Sequence, residues 1–210
     1  MSIRIHPTAL IEDGVQIGDD TMVWDSVHIR HSTSIGSECI VGEKTHIAYG
    51  VRIGDRVKIN AFVYICTAVT IEDGVMISAG TIFTNDRFPR ATTPDLRALR
   101  TSEPDEHTLP TAVREGATIG AGSIIGCGLE IGRFAMVGMG SVVTRTVPDF
   151  HLVVGNPAHV VGAVCRCGDI IDRFDAETRA AALREVACPS CGRTYRIAGR
   201  RVVELEPALA

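Results

Sequence analysis

The chain has 210 residues, of which 45% are hydrophobic and 22% are charged, and its formal net charge is −4. This composition is ordinary for a soluble globular protein, and the charge gives no electrostatic reason to expect nucleic acid or an anionic membrane as a partner. No stretch provides the roughly 20 uncharged, mainly apolar residues of a membrane span, and the opening MSIRIHPTAL has no signal-like apolar run. We therefore expect a cytoplasmic protein whose seven cysteines are metal ligands or buried thiols.

A six-residue repeat dominates the chain from Ile5 onwards: IHPTAL, IEDGVQ, IGDDTM, VWDSVH and so forth. The first position is Ile or Val until Phe83, the second is often Gly, and the fifth is small or β-branched. A period of six matches neither a helix nor a plain amphipathic strand, but it suits short strands that meet at corners. Three sixes would close one triangular coil, so the sequence up to Pro148 predicts an all-β parallel solenoid of about six to seven coils.

The positions within each six lead to separate expectations. The first and fifth residues point into the prism, whereas Gly at the second position supplies the freedom in φ that a turn needs. Cys39 occupies a fifth position, so we interpret it as a small buried side chain. Cys66 and Cys127 fall at turn positions with no neighbouring group that would stabilise a thiolate, which favours structural roles for both.

A polar, proline-containing loop over residues 85–112 interrupts the repeat after Phe83, and the repeat resumes at Val113. The interval from Phe83 to Val113 is a multiple of six, so we expect the loop to leave the wall without disturbing the coils around it. Long loops in compact domains are usually lids or binding loops, and Arg can hold phosphate or carboxylate through paired hydrogen bonds. The start of the loop is therefore predicted to bind substrate through Asp86, Arg87 and Arg90.

Four runs of the sequence resemble a known family: VKINAFVYICTAVTIEDGV, FTNDRFPRA, REGATIGAGSII and VPDFHLVVGNPA. They make residues 3–163 similar to the sugar-nucleotide 3-amino-sugar N-acetyltransferases, a group of the hexapeptide-repeat acyltransferases. The run GNPA at 155–158 is shared more widely, and His159 stands where many relatives have a basic residue near the coenzyme. The most specific part is an aromatic-Thr-Asn-x-x-x-Pro-Arg signature, matched here by Phe83, Thr84, Asn85, Pro89 and Arg90.

The resemblance implies a left-handed parallel β-helix that forms homotrimers with active sites in the grooves between subunits. It also implies acetyl transfer from acetyl-CoA to the amine of a UDP- or dTDP-linked 3-amino sugar, with Asn85 as the catalytic residue. An amide does not titrate near neutrality, so Asn85 cannot act as a general base. It can instead accept a hydrogen bond from the amine and aim the nitrogen lone pair.

Other residues are further candidates at this site. His28 and His46 end their sixes and so point outward, and His107 lies in the loop; each is an alternative general base. Acetyl-CoA is expected beside the last coils, where glycines leave the backbone accessible and an arginine is available for the coenzyme phosphates. The residues expected there are Gly122, Gly126, Gly140 and Arg145.

The repeat is absent after Gly162, which divides the chain into an acetyltransferase domain at 1–162 and a zinc-ribbon-like module at 163–210. The module contains two cysteine pairs, each followed by glycine, and four thiolates suit a structural tetrahedral zinc ion. A short helix is predicted over residues 175–186 with Asp175 as N-cap, and a hairpin is predicted around Ala198 and Gly199. The expected zinc ligands are Cys165, Cys167, Cys188 and Cys191.

Several alternatives stay open at this point. The cysteine pairs could be redox-active or belong to a ribbon without metal. The chain could be another hexapeptide acyltransferase, with an O-acetyl product or a different acceptor, or a scaffold without catalytic activity. A γ-type carbonic anhydrase shares the prism, but it needs three His at a metal between subunits, two of them five residues apart, and no two His of this chain have that separation.

Overall fold

Short parallel strands stacked in three sheets make up most of the computed structural model, which describes residues 2–175 and 182–205. The ten-stranded first sheet contains, in spatial order, β1 (Arg4–Ile5), β4 (Met22–Val23), β7 (Ile40–Val41), β10 (Lys58–Ile59), β13 (Met76–Ile77), β16 (Thr118–Ile119), β19 (Met136–Val137), β21 (His151–Val154), β22 (His159–Val164) and β23 (Ile170–Arg173). The seven-stranded second sheet contains β2 (Leu10–Ile11), β5 (His28–Ile29), β8 (His46–Ile47), β11 (Tyr64–Ile65), β14 (Ile82–Phe83), β17 (Ile124–Ile125) and β20 (Val142–Val143). The six-stranded third sheet contains β3 (Gln16–Ile17), β6 (Ser34–Ile35), β9 (Arg52–Ile53), β12 (Val69–Ile71), β15 (Thr111–Val113) and β18 (Glu130–Ile131). A separate three-stranded sheet contains β24 (Arg184–Ala187), β25 (Thr194–Ala198) and β26 (Arg201–Glu204).

Each coil passes through the first, second and third sheets in turn, and each strand pairs in parallel with the strand one coil away. Ile59 of β10, for example, pairs with Val41 on one side and Ile77 on the other. The second sheet has seven levels, and β21 adds an eighth parallel level to the first sheet. The predicted all-β parallel solenoid is therefore confirmed, with the start of one more coil, and it fits the left-handed β-helix implied by the resemblance.

Strands and irregular turns account for all of the chain that the structure describes. No helix occurs in residues 2–175 or 182–205, and consequently none there is long and apolar enough to cross a membrane.

Aliphatic ladders fill the interior of the solenoid. Ile29, Ile47 and Ile65 come from the first positions of successive coils on the second sheet, and all three are completely buried. Fifth positions also face inward, as predicted, and some of them are polar. The Thr33 hydroxyl, for example, donates to the Ala48 carbonyl at 2.9 Å. Each level therefore presents the next one with a matching apolar surface and satisfied polar groups.

The three solenoid cysteines belong to this architecture. Cys39 is buried at its fifth position, where its thiol donates to the Gly54 carbonyl at 3.2 Å and burial raises its pKa. Burial also raises the pKa of Cys66 to about 12, and the neighbouring Cys127 thiol contributes in the same direction. Neither Cys39 nor Cys66 is in surroundings that would stabilise a thiolate.

The role predicted for the second-position glycines is wrong. Positive φ angles occur instead at the fourth position, for instance 57° at Lys44, 68° at Gly50 and 59° at Phe62. A Cβ on the second-position Gly36 would lie 2.6 Å from the carbonyl carbon of Gly54 in the next coil. At Gly36 the close approach of the next coil therefore leaves no room for a side chain, and the left-handed residue comes two positions later.

The coil phase is retained across the inserted loop. Val113 pairs with Ile71 of the preceding level, so the wall closes as predicted. The predicted end of the loop at 112 is wrong by two residues, because β15 begins at Thr111 and its first residues already pair with β12. We call the inserted segment, residues 84–110, the arm.

The last coil continues directly into the C-terminal residues. β22 folds back antiparallel on β21, and the predicted division after residue 162 falls inside β22. The predicted helix over 175–186 is wrong at its end, because residues 184–187 pair with β25, and its middle part, 176–181, lies outside the described residues. The predicted hairpin is confirmed, since β25 and β26 pair antiparallel around the turn at Gly199. We call the region from residue 163 the cysteine module.

An apolar cluster joins the cysteine module to the solenoid. Phe150 stacks on Phe134 and meets the Tyr195 ring nearly edge-on, with ring-centroid distances of 5.7 and 5.5 Å. Tyr195 and Ile197 are completely buried in this cluster. The module therefore covers the C-terminal end of the solenoid, whereas Ile5 at the N-terminal end is 45% exposed.

Candidate active site

Asn85 lies at the root of the arm, where the second sheet turns into the third. Because β14, β17 and β20 are paired neighbours, the residues two positions beyond each strand follow one another along this edge. Those residues are Asn85, Cys127 and Arg145, and we call the edge the Asn85 corner. Neighbouring strands are about 4.8 Å apart, so two levels separate Asn85 from Arg145 by roughly 10 Å of backbone. The predicted catalytic residue thus shares one edge with a predicted coenzyme residue.

The arm leaves and rejoins the solenoid as an antiparallel pair of chain segments. The Leu109 amide donates to the Asn85 carbonyl at 2.9 Å, and the Arg87 amide donates to the His107 carbonyl at 3.1 Å. The His107 amide in turn donates to the Asp105 carboxylate at 2.8 Å, which is the main reason that the pKa of Asp105 is lowered. These bonds hold the root of the arm, and with it the backbone of Asn85.

The predicted substrate-binding side chains cluster around this root. The Asn85 side chain is half-buried, and its amide has no hydrogen-bond partner among residues 2–175 and 182–205. Arg87 and Arg90 are exposed. The Arg87 guanidinium lies 5.5 Å from the Phe88 ring centroid, and the Arg90 guanidinium donates to the Pro89 carbonyl. Asp86 differs from both, because one of its carboxylate oxygens accepts the Phe88 amide at 2.8 Å and shapes the turn.

Two of the three alternative bases stand on the outer face of the second sheet, as predicted. His28 Nε2 lies 2.8 Å from the Glu12 carboxylate, whose pKa is lowered to about 2 chiefly by a hydrogen bond from the His31 amide. His46 lies between the rings of His28 and Tyr64, at centroid distances of 5.0 and 5.2 Å. Burial, followed by the charge of His28, lowers the pKa of His46.

Position along the stack separates these two histidines from Asn85. β8, which carries His46, is two levels before β14, and His46 begins its strand whereas Asn85 lies two residues beyond the end of β14. The two residues therefore differ both in level and in place along the coil, and His28 is one level farther. His107 is closer, because it lies on the returning half of the arm with its ring edge-on to Phe88 at 5.4 Å. The structure therefore brings Asn85 together with His107 and not with His28 or His46.

Sequence reasoning missed a charged network on the first coils. The Glu12 carboxylate accepts the Arg30 Nε at 3.3 Å in addition to His28, and the Arg30 guanidinium lies 5.3 Å from the Tyr49 ring centroid. The signal was available in the sequence, because Glu12 and Arg30 are three sixes apart and so occupy the same position in successive coils. Comparing residues at that spacing would have paired them.

The predicted coenzyme glycines divide between two edges. Gly122 and Gly140 lie where the first sheet turns into the second, each with a φ of 68° and no atom within 4 Å of the place of a Cβ. Gly126 lies on the Asn85 corner, where a Cβ would come within 3.0 Å of a carbonyl oxygen in the next coil, so packing accounts for this glycine. Arg145 is exposed, and none of the described residues pairs with its guanidinium.

The four cysteines of the module form a compact cluster whose Sγ atoms all lie within 4.8 Å of one another. The Cys165 and Cys191 sulfurs are 3.3 Å apart, and those of Cys167 and Cys188 are 3.6 Å apart. Zinc holds four sulfurs at about 2.3 Å in a tetrahedron, which implies separations of roughly 3.8 Å between them. The donor set and its dimensions therefore fit a zinc ion at the centre. The Tyr195 hydroxyl also donates to Cys165 Sγ at 3.1 Å, an outer contact of the kind that orients metal ligands.

The backbone around the cluster is shaped as expected for two knuckles. The amides of Gly168 and Gly192 each donate at 2.9 Å to the carbonyl of the first cysteine in their pair, and both glycines have positive φ, 92° and 75°. A hydrogen bond from the Arg193 amide is the main cause that lowers the pKa of Cys191 to about 7. Burial raises the pKa of Cys165 to about 12, so the buried thiol needs a positive partner to become a thiolate.

Two repeat families match the solenoid. The family described as bacterial transferase hexapeptide (six repeats) matches residues 14–49 and 50–85, and the hexapeptide repeat of succinyl-transferase matches residues 32–67 and 110–145. Together these matches run along the wall on both sides of the arm. Residues 14–85 and 110–145 therefore match hexapeptide repeats, as the six-residue period predicted.

One curated relative gives a more specific similarity. Over 95 residues the chain is 43% identical to dTDP-3-amino-3,6-dideoxy-alpha-D-galactopyranose 3-N-acetyltransferase of Aneurinibacillus thermoaerophilus, a stretch covering 45% of this chain and 45% of that enzyme. The chain thus matches less than half the length of this curated relative.

Solved structures show the same architecture. A hexapeptide-repeat acetyltransferase of Vibrio cholerae, complexed with acetyl-CoA, matches with a TM-score of 0.52 and 28% identity, covering 63% of this chain and 70% of that chain. The N-acyltransferase AntD of Bacillus cereus, in complex with dTDP and 3-hydroxybutyryl-CoA, matches with a TM-score of 0.54 and 23% identity, covering 79% and 81%. The second likeness concerns the fold alone.

Proposed function

We propose that the chain is an acetyl-CoA-dependent N-acetyltransferase acting on the amine of a nucleotide-linked amino sugar. The observation that carries the proposal is the position of Asn85, whose side-chain amide has no partner in the described residues and stands on the same corner as Arg145. The sequence identity of 43% over 95 residues with a dTDP-3-amino-sugar N-acetyltransferase supports a UDP- or dTDP-linked 3-amino sugar as the acceptor.

In the proposed reaction the amine arrives neutral and donates one N–H to the side-chain oxygen of Asn85. This hydrogen bond aims the nitrogen lone pair at the thioester carbonyl of acetyl-CoA. The C–N bond forms while the carbonyl oxygen becomes an oxyanion, and collapse of that intermediate breaks the C–S bond. The proton of the amine ends on the coenzyme sulfur or in water, so the products are the acetamido sugar and free CoA. Asn85 orients the amine and does not remove its proton.

Charged groups on either side of Asn85 are proposed to hold the two substrates. Arg87 and Arg90 bind the phosphates of the nucleotide, because exposed guanidinium groups match phosphate geometry, and Asp86 contributes its second carboxylate oxygen. Acetyl-CoA lies toward the later coils. The residues proposed to contact it are Gly122, Gly126, Gly140 and Arg145, the last of them at the coenzyme phosphates.

A homotrimer would complete the site. The outer face of the second sheet exposes Tyr64, Ile82 and Ile124 by 45%, 43% and 40%, so an apolar strip lies beside the Asn85 corner. Covering this strip with a second copy is favourable, and the same contact would form a groove for the substrates. Native mass in solution tests the assembly directly.

We also propose that residues 163–210 act as a separate module with structural zinc. The ligands are Cys165, Cys167, Cys188 and Cys191, which leave no open coordination position. Such a closed site supplies folding energy and no catalytic chemistry.

Release of the CoA thiol from acetyl-CoA, measured with a panel of UDP- and dTDP-linked amino sugars, tests the proposed activity. Asn85→Ala should lower kcat about 100-fold with unchanged oligomer size, because a misplaced reactant costs roughly that much. The matched control is Asn60→Ala, the same change on another edge of the solenoid, with kcat expected to stay within about twofold.

Other outcomes would identify other functions. Activity that survives Asn85→Ala and is abolished by His107→Ala would replace amine positioning by general base catalysis. Turnover only with hydroxyl acceptors would make the chain an O-acetyltransferase. No turnover together with no acetyl-CoA binding would leave a scaffold.

A further inference from the structure

His151 occupies an unusual place between the solenoid and the cysteine module. It begins β21 in the last level of the solenoid and is 5% exposed. Its Nδ1 lies 2.7 Å from the Asp149 carbonyl oxygen, and its Nε2 lies 2.7 Å from the Arg200 carbonyl oxygen. Asp149 belongs to the turn before β21, whereas Arg200 belongs to the hairpin turn between β25 and β26. One ring therefore contacts both parts of the molecule.

The chemistry of these contacts defines the charge of the ring. A backbone carbonyl oxygen can only accept a hydrogen bond, so each ring nitrogen facing one must donate. A neutral imidazole carries a single N–H, and only the imidazolium carries two. We infer that His151 is held as an imidazolium and acts as a pH-sensitive latch that fastens the hairpin turn of the cysteine module to the solenoid.

The nearby Asp149 and Asp172 carboxylates bind other groups, so the two carbonyl oxygens are the acceptors for the ring N–H groups. The Asp149 carboxylate accepts a hydrogen bond from the Arg133 amide at 2.7 Å, and Asp172 on β23 is paired with Arg184. On the hairpin turn the charged side chains of Arg200 and Arg201 are cationic. The ring also contacts Phe174, edge-on at a centroid distance of 5.9 Å.

If the ring lost one proton, the nitrogen concerned would direct its lone pair at a carbonyl oxygen, and two acceptors would repel each other. The ring could then hold either Asp149 or Arg200, and an unpaired buried carbonyl would remain on the other side. Raising the pH should therefore release the hairpin turn from the solenoid. Histidine is the side chain whose charge changes most readily near neutrality, which makes this contact the place where docking responds to pH.

The ring nitrogens can be observed directly by long-range ¹⁵N–¹H correlation NMR on the full-length, histidine-labelled protein with its native metal content. The His151 ring is identified by its nuclear Overhauser contacts with Phe174, so no variant is needed for the assignment. At pH 6.5 both nitrogens should have the shifts of protonated imidazolium. As the pH is raised to 9 the doubly protonated signature should disappear. One unprotonated nitrogen at pH 6.5 would overturn the inference.

Hydrogen exchange reports on the latch independently of the charge. After correction for the intrinsic effect of pH, amides in the turn at residues 198–201 should exchange roughly tenfold faster at pH 9 than at pH 6.5, because a charged hydrogen bond is lost. His151→Gln should show the fast exchange at both pH values. His159→Gln, which changes an exposed histidine on the adjoining strand, should keep the native pattern. If the corrected exchange rates of these turn amides do not change across this pH range in the native protein, His151 does not hold the hairpin turn to the solenoid.

Discussion

The solenoid and the cysteine module are stabilised in contrasting ways. In the solenoid each level repeats the same inward positions, and residues such as Ile47 and Ile65 are completely buried between apolar residues of the adjacent levels. In the module a small apolar cluster meets four sulfur atoms, and buried Tyr195 contacts both through its ring and its hydroxyl. Stability is thus distributed along the first and concentrated at one centre in the second.

This difference determines how each part responds to a local change. A defect in one coil affects mainly the levels next to it, because every level contacts only its neighbours. A defect at the cysteine cluster affects the whole module, because so few residues remain to hold its strands together. The largest effects of substitution are therefore expected in the module.

Cys188→Ser should produce the largest change. The buried Cys188 is one of the four proposed zinc ligands, and structural zinc contributes apparent energies of about 10–16 kcal/mol to folding in zinc-finger peptides. We expect loss of bound metal and loss of hydrogen-exchange protection in β24, β25 and β26, with protection retained in the solenoid. Elemental analysis and regional hydrogen exchange measure both. Cys66→Ser, at a buried solenoid cysteine, should leave the metal content unchanged. Retention of the metal by Cys188→Ser would show that the cluster is not its site.

Ile65→Ala should cause the next largest loss, and it tests the distributed half of the comparison. Ile65 is completely buried, so deleting its side chain should lower the free energy of unfolding by about 2–5 kcal/mol. Ile5 has the same place in its six but is 45% exposed, and Ile5→Ala should cost about 1 kcal/mol or less. Urea unfolding of the two variants measures the difference. Equal losses would mean that burial is not what distinguishes inner from terminal coils.

Gly36→Ala and Gly50→Ala separate the two reasons for glycine in the turns. A Cβ at Gly36 would overlap the backbone of the next coil, so we expect a loss of about 3 kcal/mol in the free energy of unfolding. Gly50 has a φ of 68° and open space around it, so the cost there is conformational, about 1 kcal/mol. Both values come from the same urea experiment. The opposite order would restore the interpretation that second-position glycines serve φ.

These cases also show what the sequence could and could not predict. The repeat from Ile5 predicted the solenoid well, because its spacing specifies which side chains point inward whatever the details of the turns. It misassigned glycines such as Gly36, because the approach of neighbouring coils is a property of the stack and not of one hexapeptide. The helix expected over 175–186 is wrong at residues 184–186, where pairing with β25 overrides the local helix propensity of an Ala- and Arg-rich run.

The features of the candidate site also differ in how far the sequence predicts them. Asn85 could be found from the sequence, since it belongs to a linear signature at the start of an interruption. The contact between Glu12 and Arg30 is not visible among neighbours in the chain, but comparing residues three sixes apart, which meet when coils stack, could have found it. Features local in sequence can thus be read along the chain, and contacts between coils can be found at the spacing of three sixes, whereas the close approach at Gly36 is visible only in the folded stack.

Glu12→Gln should give the smallest effect, and it tests how the uncovered end of the solenoid is held. The pKa of Glu12 is lowered from 4.5 to about 2, first by the His31 amide and then by His28. A lowered carboxyl pKa means that its stabilising contribution is complete above about pH 4.5 and is lost as the pH falls toward 2. The native protein should therefore lose some stability over that interval, and Glu12→Gln should lose less. Urea midpoints at pH 7, 4 and 3 measure this difference.

Asp13→Asn is the matched control for that experiment, because the neighbouring carboxylate makes no ion pair within residues 2–175 and 182–205. It should keep the acid response of the native protein. If Asp13→Asn reduces the loss of stability in acid as much as Glu12→Gln does, that loss comes from general electrostatic effects of the many carboxylates. If only Glu12→Gln reduces it, the N-terminal coils depend on a specific network of Glu12, His28 and Arg30. The two ends of the solenoid would then differ in kind, one held by a surface ion network and the other by a docked module.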